Sequence, residues 1–212
     1  MFDWSKHIEN LPDFPSLDSS LWYREMVNEI RLYIRKDRAK AVLEVGCSNG
    51  SWLRWFAREY GSEVYGLDIN RKGFVKRDVH FLKGDAFKLP YKDRSFDIVF
   101  STGFIEHFKN DFELLQEQAR VLKPQGCIIC EVPNLALSLE YVYVKYFYDF
   151  RRGYQHFVKT HTSLINHLRS LGLDILVCKF LGWFWVLDRL KIPKLFNSSL
   201  SSTDYLLIAK AR

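Results

Sequence analysis

The sequence lacks any apolar run that could cross a bilayer. A membrane-spanning helix needs about 20 consecutive apolar residues, and the longest candidate, LVCKFLGWFWVL at 176–187, is short and interrupted by Lys179. The N-terminus, MFDWSKHIENLPDFP, has early acids and prolines where a signal peptide has a basic and then an apolar stretch. We therefore expect a cytoplasmic protein without a transmembrane segment.

Cysteine is scarce, with four residues in 212. Cys127 and Cys130 form a C-x-x-C pair inside the apolar run GCIICEV, where side chains three apart point to opposite faces of a strand. The sequence has no second pair with the spacing of a zinc site. We expect reduced thiols and no metal site.

The first two thirds of the chain have no charge excess. Acidic and basic residues balance at 20 each up to residue 134, and residues 135–212 carry the whole net charge of +6. In this part, the segment 141–157, YVYVKYFYDFRRGYQHF, interleaves aromatic rings with cations. It could form a lid with its rings packed on the domain, a pocket for a lipid-like acceptor, or a peripheral membrane contact. Nucleic-acid binding by stacking is the least favoured use.

What the chain does have is an alternation of strand and helix patterns. Apolar runs at 41–45, 63–69, 79–85, 96–102 and 127–132 alternate with segments of helical periodicity, which predicts a parallel sheet with helices on both faces. Further strands are expected at 173–180 and 202–212, and an amphipathic helix at 20–35 leads into the fold. We expect an α/β, Rossmann-like, doubly wound and mostly parallel seven-stranded sheet.

The length favours a single domain over 1–212. Residues 1–39 would form a helical lead-in and 40–134 the core that binds a cofactor. Residues 135–161 would form the aromatic and basic lid or acceptor segment, and 162–212 a last helix and strands.

The stretch AVLEVGCSNGSW at 41–52 predicts a strand, a glycine turn and a helix, in that order. Such a turn brings the backbone close to a ligand and directs helix N–H groups at it. Asp68 ends the next strand, where a carboxylate can accept both hydroxyls of a ribose. Asp85 ends the third strand, where it could receive an exocyclic amino group or cap a helix instead. These strand ends together suggest an adenosine site.

These motifs resemble the class I S-adenosylmethionine-dependent methyltransferases, particularly the group that includes ubiquinone and menaquinone methyltransferases. Glu44, Gly46 and Gly50 match the motif E-x-G-x-G-x-G, with Ser48 in place of its middle glycine. The segments GDA at 84–86, FIEHF at 104–108 and VLKPQG at 121–126 are similar to the family's later motifs. The resemblance is clear over 40–134 and fainter towards the end of the chain.

The resemblance implies S-adenosylmethionine as cofactor and S-adenosylhomocysteine as product. It implies that the turn lies alongside the methionine part of the cofactor and that Glu44 faces the ammonium group or orders the turn. It also implies that Asp68 holds the ribose and that Ile69 packs on adenine. The full set of expected cofactor-binding residues is Glu44, Gly46, Cys47, Ser48, Gly50, Asp68, Ile69, Asp85, Ala86 and Ser101.

Methyl transfer needs a base only when the acceptor must lose a proton, and histidine is the natural candidate at neutral pH. His107, after the fourth strand, and His156, in the aromatic segment, are the candidate catalytic residues, although packing roles remain open for both.

We expect an enzyme that methylates an O, N or C nucleophile of a small-molecule or lipid-like acceptor. The basic excess in the last third of the chain favours an acceptor that carries negative charge. A scaffold protein of the same fold and an RNA or protein methyltransferase remain alternatives. A nicotinamide dehydrogenase is disfavoured because its fingerprint needs glycines where this chain has Ser48 and Ser51.

Overall fold

The computed structural model describes residues 21–69, 79–135, 156–182 and 204–212. In these ranges the helices are α1 (Leu21–Tyr33), α2 (Ser51–Tyr60), α3 (Asp111–Val121) and α4 (His161–Ser170), with short 3₁₀ turns at Lys36–Arg38 and Ile105–His107. The strands are β1 (Ala41–Val45), β2 (Glu63–Asp68), β3 (His80–Lys83), β4 (Phe96–Thr102), β5 (Leu122–Pro133), β6 (Leu173–Leu181) and β7 (Asp204–Ala211).

The seven strands form one sheet in the order β3-β2-β1-β4-β5-β7-β6. Neighbouring strands from β3 to β5 are parallel, whereas β7 runs antiparallel to both β5 and β6. The expected Rossmann-like, mostly parallel seven-stranded fold is therefore confirmed. Most of the predicted lid, residues 136–155, lies outside the described residues.

Helices cover both faces of the sheet, as a doubly wound fold requires. One core layer joins α1 and α2 to the sheet through buried side chains that include Met26, Ile30, Leu53 and Phe56. The other layer joins α3 and α4 to the opposite face and includes Leu114, Leu115, Leu164 and Leu168. Because β1 and β4 are buried between these layers, their sequences read as nearly continuous apolar runs.

Helix α1 is fastened to the far edge of the sheet by polar contacts. Glu29 forms an ion pair with Lys179 on β6, and Gly182, which follows β6, donates its backbone N–H to Glu25 Oε2 at 2.8 Å. Helix α1 is thus held against the sheet, while residues 1–20 of the predicted helical lead-in lie outside the described residues.

The boundaries agree with the predicted elements to within a few residues. β4 covers Phe96–Thr102 as predicted, and β3 is shorter than its predicted run at 79–85. Residues 123–126 of the VLKPQG motif lie within the span of β5, where the pairing with β4 shifts register between Phe96 and Ile98.

The strand order reverses direction between β1 and β4. From β1 the sheet continues through β2 and β3, and from β4 it continues through β5 to the other edge. Parallel sheets bind ligands beyond the carboxyl ends of the strands at such a switch point. The turn after β1 and the segment after β4 therefore face the predicted site.

Candidate functional site

The turn after β1 is built from three residues in the left-handed region. Gly46, Ser48 and Gly50 have φ values of 77°, 47° and 72°. The backbone N–H groups of Gly46 and Cys47 both donate to Leu67 O on β2, at 2.8 and 3.2 Å. The turn is therefore tied to the neighbouring strand, and it delivers the chain directly into helix α2.

Ser48 adopts the conformation for which a glycine is expected at this position. Its backbone N–H donates to Asp68 Oδ2 at 2.9 Å. Its hydroxyl oxygen is buried without a hydrogen-bond partner among the described residues. The serine thus keeps the shape of a glycine turn at the cost of a strained backbone, and it leaves one buried polar atom for a ligand to satisfy.

Glu44 lies at the floor of the turn with a side chain that is only 3% exposed. Burial, and secondarily the negative charge of Asp68, raises its pKa well above the ordinary value, although the backbone N–H of Leu53 on α2 partly offsets this. Its second oxygen, Oε2, has no hydrogen-bond partner among the residues that the structure describes. A cationic group placed above the turn would satisfy this oxygen.

The acid after β3 caps its own turn. Asp85 is exposed, and its Oδ1 accepts the backbone N–H of Phe87 at 2.9 Å, which closes a turn. The alternative role of a helix cap does not apply, because the described chain passes from β3 to β4 through turns without a helix. Ala86 is buried next to it at 5% exposure, whereas Ile69, after β2, leaves 63% of its surface exposed. Ile69 is thus an exposed apolar side chain beside Asp68, which is what packing on adenine would use.

Two other expected residues have side chains directed into the protein. Ser101 on β4 is fully buried, with its hydroxyl 3.8 Å from Cys130 Sγ. Cys47 is also buried, and burial together with the charges of Glu44 and Asp68 raises the pKa of its thiol well above the ordinary value. Cys47 is therefore a protonated, inert thiol beneath the turn.

The residues around the turn fit S-adenosylmethionine. Its ammonium group would complement the unpaired Glu44 carboxylate oxygen, and the buried Ser48 hydroxyl would gain a polar partner. Gly46 leaves no room for a Cβ, because that atom would lie 2.2 Å from Cδ2 of Phe104. The backbone and one aromatic ring thus approach each other closely where the methionine part is expected.

Three half-buried aromatic rings form a row that begins beside the turn after β1. The ring of Phe104 lies 4.8 Å from that of Phe108, which lies 5.3 Å from that of Phe87, measured between centroids. We call Phe87, Phe104 and Phe108 the aromatic row. It links the turn after β1 to the segment that follows Asp85, and it gives this edge of the site an apolar surface.

The two candidate catalytic histidines come together although they lie 49 positions apart in the sequence. The ring centroids of His107 and His156 are 4.8 Å apart. Phe157, next to His156, donates its backbone N–H to Glu106 O at 2.7 Å, which fastens this segment to the 3₁₀ turn. One carboxylate accompanies them, because Glu106 Oε1 lies 3.8 Å from His107 Nε2.

Sequence reasoning missed the buried acids behind these histidines. Glu106 and Glu131 are 2% and 3% exposed. The signal for Glu131 was present, since it is the one acid in the apolar run CIICEV. Sequence reasoning also missed Asn49, whose Oδ1 accepts from both the backbone N–H and the hydroxyl of Ser51 at 3.1 and 2.7 Å and so begins α2.

The described ranges contain neither a cluster of metal ligands nor a membrane-spanning helix. In the part of the chain that the structure describes, no three His, Cys, Asp or Glu side chains are grouped as metal ligands would be. Within those same ranges, no helix has the length and apolar character needed to cross a bilayer.

Comparison with known proteins identifies the domain. Residues 43–130 match a family of methyltransferase domains. The chain is 38% identical over 95 residues to a fatty-acid O-methyltransferase of Mycolicibacterium smegmatis, covering 41% of this chain and 35% of that protein. It is 31% identical over 143 residues to a demethylmenaquinone methyltransferase of Listeria monocytogenes, covering 58% of this chain and 60% of that protein. The matches thus span less than two thirds of either relative.

A solved structure extends the likeness over most of the chain. A SAM-dependent methyltransferase from Archaeoglobus fulgidus superimposes with a TM-score of 0.64 at 29% identity, covering 88% of this chain and 94% of that one. The residues matched by the family include the turn after β1. The resemblance drawn from the motifs is confirmed.

Proposed function

We propose that this chain, which carries a class I S-adenosylmethionine-dependent methyltransferase domain, transfers a methyl group to a small-molecule or lipid-like acceptor. One observation carries the proposal: the turn after β1 combines three left-handed residues with the unpaired oxygens of Glu44 and Ser48, inside the residues matched by the family. A tight turn with a purely structural role has no need of buried polar atoms that lack partners.

Several residues would hold the cofactor in this proposal. The turn and Glu44 would bind its amino-acid part, Asp68 its ribose, and Ile69 and the segment around Asp85 its adenine. When bound, the cofactor would supply a methyl group on a sulfonium for in-line attack by an acceptor nucleophile, with the neutral thioether as the leaving group. The chain then contributes mainly by holding the acceptor in alignment, which can lower the barrier by several kcal/mol (about 7–11 in well-oriented model reactions).

The acceptor side of the site supports an apolar substrate. The aromatic row is half buried and adjoins the turn, and rings of this kind favour contact with hydrocarbon or with another ring. The named activities of two relatives, fatty-acid O-methylation and demethylmenaquinone methylation, concern molecules of this type. The basic excess after residue 134 favours an acceptor that carries negative charge.

His107 and His156 are the proposed groups that handle the acceptor's proton. They come from separate segments and meet next to the end of β4, where the acceptor would face the methyl donor. A histidine at this position can take a proton at neutral pH, provided that the acceptor has one to lose.

A radiolabelled methyl assay tests the proposal. Protein is incubated with methyl-labelled cofactor and a native extract separated into small-molecule, lipid, RNA and protein fractions. Label is expected in the small-molecule or lipid fraction with wild type and with the control variant Asp174→Ala, whose exposed carboxylate pairs with Arg212. Asp68→Ala should lose most of this label.

Other results would redirect the proposal. Label in the RNA or protein fraction would indicate a macromolecular acceptor. Cofactor binding without label in any fraction would indicate a scaffold of the same fold, and the proposed activity would then be wrong.

A further inference from the structure

Glu106 occupies an unusual position for a carboxylate. It lies in the 3₁₀ turn Ile105–His107 directly after β4, and a 3₁₀ helix has about three residues per turn, so consecutive side chains point in different directions. Glu106 turns into the protein and is 2% exposed, whereas the side chain of its neighbour His107 keeps 14% of its surface accessible. The carboxylate therefore lies behind the histidine as seen from solvent.

This carboxylate is not compensated in the ways that buried acids usually are. Its Oε2 accepts no hydrogen bond from any residue that the structure describes, and an ionised carboxylate in such a place costs several kcal/mol or more. Its Oε1 lies 3.8 Å from His107 Nε2. This distance is longer than a hydrogen bond, but the distances between catalytic groups are often longer before the substrate binds than in the complex.

The charged groups that face Glu106 come from three further elements. Asp204 on β7 disfavours its ionisation, and Lys159 in the segment before α4 favours it weakly. Glu131 on β5 shares a hydrogen bond with Asp204. Burial is the main reason that the pKa values of Glu131 and Tyr205 are raised, and the charge of Glu106 contributes to both shifts. The ammonium group of Lys159 forms an ion pair with another acid, because its Nζ lies 3.0 Å from Asp111 Oδ1 on α3.

These surroundings keep a proton on Glu106 at neutral pH. Burial, followed by the charge of Asp204, raises the pKa of Glu106 from 4.5 to about 8. Glu106 Oε1 and His107 Nε2 lie 3.8 Å apart, and two ionisable groups at such a distance can influence each other's titration.

We propose that Glu106 is a positioning residue that exchanges a proton with His107, and that this pair takes up the proton of an acceptor hydroxyl group during methyl transfer. The proposal rests on the proposed function and adds the acceptor's chemical class. It is carried by the buried carboxylate with an unpaired oxygen, by the 3.8 Å approach to His107 and by the second ring of His156 beside it.

The step balances in atoms and charge. The acceptor O–H bond breaks and its proton goes to the His107 imidazole, while the oxygen lone pair forms the new bond to the methyl carbon. The carbon–sulfur bond breaks, and its electron pair stays on sulfur, which becomes a neutral thioether. Because Glu106 already carries a proton, the pair of Glu106 and His107 then releases one proton to water and returns to its starting state.

A hydroxyl acceptor explains why the site would keep such a pair. An alcohol or phenol must lose a proton when it is methylated, whereas a carboxylic acid with a pKa near 4–5 is already ionised at neutral pH and needs no base. The inference therefore separates an ether-forming enzyme from one that makes methyl esters.

The first test measures protonation without requiring the acceptor. The His107 ring signals and the Glu106 carboxyl signal are followed by NMR from pH 4 to pH 10 in wild type, Glu106→Gln and His107→Gln. In wild type the His107 signals should show two inflections, the upper one coinciding with the titration of Glu106. Glu106→Gln should leave a single inflection, and the exposed control Glu113→Gln should leave both.

Three readings would overturn the inference: a His107 titration that is the same in wild type and Glu106→Gln, a Glu106 carboxyl that titrates near pH 4–5, or a Glu106 titration unaffected by His107→Gln. Binding of S-adenosylhomocysteine, measured on the same samples, reports whether each variant is folded and whether the proposed function stands.

The second test examines the labelled product from the extract assay. A methyl ether keeps its label through mild alkaline hydrolysis, whereas a methyl ester releases it. An alkali-stable, non-basic product made at a lower kcat by Glu106→Gln, with KM for the cofactor unchanged, is expected. An alkali-labile product would overturn the assignment of a hydroxyl acceptor and leave the methyltransferase activity intact.

Discussion

The close approach of Gly46 to Phe104 provides a quantitative test of how the turn after β1 is built. In Gly46→Ala the new Cβ would lie 2.2 Å from Cδ2 of Phe104, at a backbone φ of +77°. The left-handed conformation alone costs a residue with a Cβ about 1–2 kcal/mol. Displacing a packed ring adds about 1–3 kcal/mol. We therefore expect the free energy of unfolding to fall by about 2–5 kcal/mol.

Gly61 is the matched control for the backbone contribution. It ends α2 at a similar φ of +68°, and a Cβ there would meet no atom within 4 Å. Gly61→Ala should thus cost only about 1–2 kcal/mol. The difference between the two variants, measured by urea unfolding, isolates the contact with Phe104.

A double variant completes the test. In a Phe104→Ala background the ring is gone, so Gly46→Ala should cost no more than Gly61→Ala does in wild type. Equal losses for Gly46→Ala and Gly61→Ala in wild type, or a full Gly46→Ala penalty without the ring, would refute the idea that Phe104 closes on the turn.

Three further outcomes are expected. Arg120→Met should lower the free energy of unfolding by about 1–3 kcal/mol. The reason is that Arg120 donates hydrogen bonds to Glu117, Asp93 and the carbonyls of Leu89 and Tyr91. Arg212→Met, at an exposed ion pair, should leave the free energy of unfolding nearly unchanged in the same urea titration. Ser48→Gly should raise stability by about 1 kcal/mol by relieving the left-handed backbone, and calorimetry should show weaker cofactor binding if the Ser48 hydroxyl contacts the cofactor. Because the pKa of Glu106 is raised from 4.5 to about 8, wild type should lose stability relative to Glu106→Gln as pH rises from 4.5 through 8; parallel curves of unfolding free energy against pH would contradict the burial of an uncompensated carboxyl.

The fold could be predicted because its signals are local. The strands β1 and β4 are covered by helices on both faces, so they appear in the sequence as short apolar runs between turns. Such runs indicate buried strands of a parallel sheet. The glycine turn, Asp68 and the order of the strands were likewise visible along the chain. The aromatic segment at 141–155 lies outside the described residues, and its role as lid, pocket or membrane contact stays a prediction.

The acceptor side depends on contacts that no local pattern encodes. His107 and His156 meet where the backbone N–H of Phe157 bonds to Glu106 O, a contact between segments far apart in the sequence. Glu106 looked like an ordinary acid beside a histidine, since burial arises from its direction in a 3₁₀ turn and from β5 and β7 behind it. Ser48 shows the same limit, because its left-handed backbone follows from the ties of the turn to Leu67 and Asp68.

The binding of S-adenosylhomocysteine to wild type, Asp68→Asn and His156→Ala tests the central claim most directly. Asparagine at 68 can still accept the Ser48 N–H that Asp68 Oδ2 accepts at 2.9 Å, so the turn is preserved while the carboxylate proposed to hold the ribose is lost. Calorimetry should show saturable binding to wild type, about tenfold or more weaker binding to Asp68→Asn, equivalent to 1.4 kcal/mol or more, and nearly unchanged binding to His156→Ala. Absence of binding to wild type, or equal affinity for wild type and Asp68→Asn, would contradict the account.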